Sequence, residues 1–102
     1  MAVSNIPSNI SDIKIVHTYV SPSGSLSAYS GAAVSLTPTI PDGYAILTHY
    51  AVWNVGVPGV IVSFDGGEST ATAATVPVYQ YNARNVTASS RGTIHVLTAC
   101  YK

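Results

Sequence analysis

Charge is what this chain has least of. Four Lys or Arg and four Asp or Glu are spread through 102 residues, where charged residues usually make up about a quarter of a soluble domain. The formal net charge is zero, and Lys14, Arg84, Arg91 and Lys102 are scattered among Asp12, Asp42, Asp65 and Glu68. No basic stripe exists to neutralise phosphates, which argues against a nucleic-acid partner. Cysteine is nearly absent as well: Cys100 is alone, so no internal disulfide forms and stability is left to packing or to oligomerisation. No apolar run approaches the roughly 18 residues that cross a bilayer as a helix, and Met1-Ala2-Val3-Ser4-Asn5 lacks the basic and apolar regions of a secretory leader. No membrane insertion is expected. A surface this poor in charge is either covered by partners or held in water by hydroxyls and amides.

What is present is strand chemistry. Residues 1–12 are polar and carry no sustained alternation, and they read as an arm or linker; residues 13–102 read as one β-domain. Ile13 to Val20 is rich in the β-branched and aromatic residues that favour strands. A second region follows from Ala32 to Thr37, closed by Pro38 and by the turn signal Pro41-Asp42-Gly43. Tyr44 to Trp53 is the longest strand candidate, with Ile46, Thr48, Tyr50 and Val52 on one face and Leu47, His49, Ala51 and Trp53 on the other. Val60 to Phe64, Thr70 to Gln80, Tyr81 to Val86 and Thr93 to Lys102 complete the set, with Pro77 expected at an edge or a bulge because it cannot donate to a ladder. Short strands with turns every eight to twelve residues predict an all-β antiparallel sandwich or jelly-roll-like barrel. Leu97 and Val62, each in mid-strand, are expected in its core. Several strands are apolar on both faces, and a neighbouring subunit is the simplest cover for the second face.

Three blocks in order carry a family likeness. Ser25-Leu26-Ser27-Ala28 with Ala33-Val34-Ser35-Leu36-Thr37, then Ile40-Pro41-Asp42-Gly43-Tyr44, then Arg84-Asn85-Val86-Thr87-Ala88-Ser89-Ser90 with Gly92-Thr93-Ile94-His95-Val96, resemble the C-terminal receptor-binding (head) domain of tail-fibre and baseplate proteins from phages of Gram-positive bacteria. The likeness covers residues 13–102 and departs most from Trp53 to Val78, where this chain is rich in Gly, Ala and Thr. It implies a trimeric head domain on an external virion appendage, bound to other fibre or baseplate proteins, that attaches to a host-surface saccharide or protein without catalysis and without a cofactor. The alternative within the same likeness is a structural trimerising cap or decoration protein that binds no receptor.

The composition agrees with a contact surface, since seven tyrosines with Ser, Gly and Asn make adaptable contacts at low entropic cost. Trp53 and Asn54, at the end of the longest strand, and Tyr81, Asn82 and Arg84 are the candidate receptor-binding residues: aromatic faces suit the apolar side of a pyranose, and amides or Arg suit its hydroxyls. Catalysis has little to build on. No Gly-x-Ser-x-Gly elbow frames a nucleophile, and Asp65 with Glu68 is the only close carboxylate pair, explained by turn chemistry at Asp65-Gly66-Gly67. His17, His49 and His95 all fall inside strands without metal-ligand spacing, so structural roles are expected for them unless a subunit interface gathers them around a metal. Cys100 shares a face with Ile94, Val96 and Thr98 and is expected to pack as a small hydrophobe.

Overall fold

Period-2 alternation and the turn residues between its runs build six strands: β1 (Ile13–Val20), β2 (Gly31–Leu36), β3 (Ala45–Val55), β4 (Val60–Phe64), β5 (Val76–Asn82) and β6 (Thr93–Tyr101). The computed structural model describes residues 10–66 and 71–102, and these contain no helix. The strands form two three-stranded antiparallel sheets, ordered β1-β6-β3 and β2-β5-β4, packed against each other as a sandwich. All-β architecture is thus as expected. The arm of residues 1–9 and Glu68 lie outside the described residues; Ser11 and Asp12 exchange backbone hydrogen bonds with Lys102, which ties the start of the domain to its end.

The central strands β5 and β6 supply the core. Val76 and Val78 face Ile94 and Val96, all fully buried, with Leu36 beside them and Val20, Val34, Val52, Val62 and Phe64 packed around. Each such side chain contributes about 1.5–3 kcal/mol on burial. Val62 is where the sequence places it. Leu97 is not: β6 turns Ile94, Val96, Thr98 and Cys100 inward, so strict alternation sends Leu97 to the outer face, half-buried between His17 of β1 and Ala51 of β3. Leu97→Ala is accordingly expected to cost roughly 1 kcal/mol in a urea titration, below the roughly 2–5 kcal/mol of a truncated core leucine. Cys100 is fully buried on the same face of β6 as Ile94 and Val96, its thiol 3.4 Å from the Lys14 carbonyl.

Two bulges break the expected alternation of β3. Ile46 pairs with Cys100 but Thr48 with Ala99, and His49 pairs with Thr98 but Ala51 with Leu97. Leu47 and Tyr50 are the extra residues, and each one resets which parity faces inward. Ile46, His49 and Val52 therefore share the inner face, and Thr48, Ala51 and Trp53 the outer one. Pro77 is a second departure, since it stands in a central strand and not at an edge. Its carbonyl accepts from the Asp65 amide, so its missing N–H is turned to the same side, just beyond the last β4–β5 pair, Phe64 with Val78. The missing donor thus falls at the end of the β4–β5 ladder and interrupts no bond within it. Strand β5 ends at Asn82, and Arg84 to Val86 belong to the following loop.

Candidate functional site

Antiparallel register places side chains of three strands in one row. On the outer face of the β1-β6-β3 sheet, Tyr19 pairs with His95 and His95 with Trp53, while His17 is one row away opposite Leu97. Directly opposed side chains have Cβ atoms about 4.5–5.5 Å apart, so the rings meet. His95 and Trp53 lie 5.1 Å apart between centroids with planes within 7°, His17 and His95 5.0 Å apart within 10°, and His17 and Trp53 6.1 Å apart within 4°. Tyr19 completes the group at 6.0 Å from His95, tilted by 31°. A 2.8 Å contact joins His17 Nε2 to His95 Nδ1; with the planes nearly parallel, one imidazole N–H donates to the lone pair of the other, edge to edge. Tyr19 is 66% exposed and Trp53 38%. Three parallel rings and a phenol thus stand on the outer face of the β1-β6-β3 sheet, where the strand register fixes their spacing.

The expected binding set does not gather in one place. Trp53 belongs to this face, but Asn54 is turned inward, its Oδ1 accepting from Gln80 Nε2 at 2.6 Å. Tyr81 lies on the outer face of the other sheet, between Gly31 and Ile61. Asn82 is a correction: it is fully buried and its amide is spent on the protein's own carbonyls, so it does not reach a receptor. Arg84 is exposed in the loop after β5, its aliphatic stem crossing Gly59, where a Cβ would collide with it. Arg84 also lines a cleft of about 220 Å³ between residues 56–58 and 84–90.

His49 is structural. It is buried, and because Ala73 O only accepts, Nε2 carries the proton and donates to it at 2.6 Å, leaving Nδ1 to accept from the Thr98 hydroxyl at 2.7 Å. Residues 71–73 are pinned to β3 by this ring and by the His49 amide, which donates to Ala71 O. His17 and His95 are not interior residues; they belong to the exposed cluster. No group of three or more metal-ligating side chains occurs among the described residues. Sequence reasoning missed Tyr19, His17 and His95 as site residues. Their shared outward parity along β1 and β6 was readable, but the register that brings them to Trp53 was not, because it depends on the bulge at Tyr50.

At the far end of the sheet the Tyr44 hydroxyl donates to Asp12 Oδ2, with the ammonium groups of Lys14 and Lys102 5.4 Å and 5.2 Å from the Tyr44 ring centre. The hydrogen bond to Asp12 holds the phenol's proton and pushes its pKa from 10.0 up to about 12; the same bond lowers the Asp12 carboxyl below its ordinary 3.8. The signs follow from linkage. Tyr44 is raised in the folded state, so its contribution is complete below pH 10 and is lost as pH rises toward about 12. Asp12 is depressed, so its contribution is complete above pH 3.8 and is lost as pH falls through its lowered value. Ultraviolet titration should therefore show one tyrosine ionising near pH 12, and Tyr44→Phe should remove that step. A wild-type titration in which every phenol ionises near pH 10 contradicts the pairing.

Comparison of the chain with protein-family models, with curated proteins and with solved structures returns no match.

Proposed function

We propose that this chain is a non-catalytic receptor-binding module that holds a saccharide against the outer face of the β1-β6-β3 sheet. The observation that carries the reading is the array of Trp53, His95 and His17, parallel on three neighbouring strands, with Trp53 and His17 exposed and His95 half-buried between them. Flat aromatic faces match the C–H side of a pyranose, and the Tyr19 hydroxyl with the free ring nitrogens of the two imidazoles supplies donors and acceptors for its hydroxyls. A scarcity of charge fits a ligand recognised by stacking and neutral hydrogen bonds. The resemblance of residues 13–102 to phage head domains supports placing the module on an external virion appendage as a homotrimer attached to fibre or baseplate proteins. Ile13 and Ile15 at the far end of the same face, and Ile61 on the other sheet, are 48%, 55% and 60% exposed and offer aliphatic surface for a neighbouring subunit to cover.

A glycan array and adsorption to intact host cells test the function. Saturable binding is expected, and its absence favours the structural cap. Sedimentation tests the assembly: about three times the chain mass is expected at micromolar concentration, whereas a species of 10.6 kDa contradicts the trimer.

A further inference from the structure

Formal neutrality conceals a separation of charge along the strands. Loops 21–30, 56–59 and 83–92 meet at one end of the two sheets, where Val55 pairs with Thr93, Gly31 with Tyr81 and Val60 with Asn82. Arg84 and Arg91 are the only charged residues in those loops. Asp12, Lys14, Asp42, Asp65 and Lys102 all belong to the opposite end, where Ile13 pairs with Tyr101 and Leu36 with Val76. Among the described residues, no carboxylate offsets either guanidinium at the loop end.

The cleft of about 220 Å³ opens at this cationic end, with Gly56, Pro58, Arg84, Thr87, Ser89 and Ser90 in its wall. The Ser90 hydroxyl oxygen accepts from the Gly92 amide at 3.1 Å, which leaves its O–H to donate elsewhere. Behind the loop, Arg91 is tethered through Nε to Gln80 Oε1 at 2.8 Å and is not part of the cleft wall, so it adds positive charge to this end without reaching a ligand. Arg84 is the cation in the wall itself, and a guanidinium with no carboxylate at its end of the fold projects positive potential into a cleft with low-dielectric walls.

We propose that this cleft takes an oxyanion: a carboxylate, sulfate or phosphate substituent on the saccharide whose neighbouring ring rests on the Trp53 face. The inference rests on the saccharide reading of that face. Trp53 and Gly56 are three residues apart at the end of β3, about 10 Å along an extended chain, so one short oligosaccharide reaches both. Arg84, exposed and free of any carboxylate at its end of the fold, presents the planar fork that suits a bidentate oxyanion.

Affinity electrophoresis through gels containing dextran, carboxymethyl-dextran or dextran sulfate tests this, since the three share a backbone and differ in charge. The charged polymers should retard the protein about tenfold more strongly than the neutral one, the scale of one charge-assisted pair. Arg84→Gln should erase that difference without altering the melting temperature or the neutral-polymer result, and Lys14→Gln should leave it intact. Inorganic phosphate, followed by NMR, should move the Gly56, Ser89 and Ser90 amides. Equal retardation by all three polymers, an unchanged advantage in Arg84→Gln, or an equal loss in Lys14→Gln overturns the cleft. Trp53→Ala separates the two readings: it should weaken all three polymers alike, and if it weakens none while Arg84→Gln still acts, the aromatic face fails and the oxyanion cleft stands.

Discussion

Replacing Asn82 with alanine is expected to lower the unfolding free energy by about 3–5 kcal/mol, because several buried polar groups lose their partner at once. The side chain is fully buried. Its Nδ2 donates to the carbonyls of Leu26, Ser27 and Val86 at 3.1, 3.2 and 2.8 Å, and its Oδ1 accepts from the Arg84 amide at 3.1 Å. One amide therefore joins the loop between β1 and β2 to the loop between β5 and β6, alongside the two backbone bonds of the Leu26–Ala88 bridge and a third from the Tyr29 amide to Arg84 O. Alanine leaves these carbonyls and an N–H with reduced pairing, and no side chain of similar shape replaces the donor: Asn82→Asp keeps the volume but turns a carboxylate toward carbonyl oxygens. Urea unfolding checks the magnitude. A loss under about 1 kcal/mol, the size of a single net hydrogen bond, would show that the loops hold together without it.

Asn82 was expected at a binding surface and is buried. Like Gln80, it follows Val76 and Val78 on the inner face of β5, and parity alone puts it inside; its polarity argued for a surface contact instead. The inner row of β5 becomes polar where the loops close over it, because loop carbonyls need donors there. Nothing in the local sequence announces which carbonyls come near. On β3 the difficulty is different. Trp53 and His49 share odd parity but face opposite sides, since the extra residue at Tyr50 lies between them, and neither Gly nor Pro marks the bulge. Where no bulge intervenes, as in β6, alternation does locate Ile94, Val96, Thr98 and Cys100 together; what failed for Leu97 was judging it by its place in the strand and not by its parity. The turns at Pro41-Asp42-Gly43 and Gly56 to Gly59 were legible because positive φ at Gly43, Gly56 and Gly59 leaves few residue choices.

Trp53→Ala is expected to reduce saccharide affinity by about 30-fold, equivalent to roughly 2 kcal/mol, the loss usual for a central aromatic anchor. The indole is the largest of the parallel rings and lies 5.1 Å from His95 and 6.1 Å from His17 between centroids, so its removal also takes support from both imidazoles. The fold should tolerate the change, since Trp53 is on the outer face and the core cluster does not include it. Tyr19→Ala, at the tilted edge of the group, should cost less. As the chain's only tryptophan, Trp53 also reports binding through its own fluorescence. An affinity unchanged by Trp53→Ala, with the melting temperature preserved, would remove the ring array from the site.

The most direct test is an NMR map of the surface that changes when the first saccharide retained by a glycan array is added. Perturbations centred on His17, Tyr19, Trp53 and His95, on the open face of the β1-β6-β3 sheet, are the predicted result. Perturbations centred on Ile61, Tyr79 and Tyr81, across the other sheet, would contradict the account.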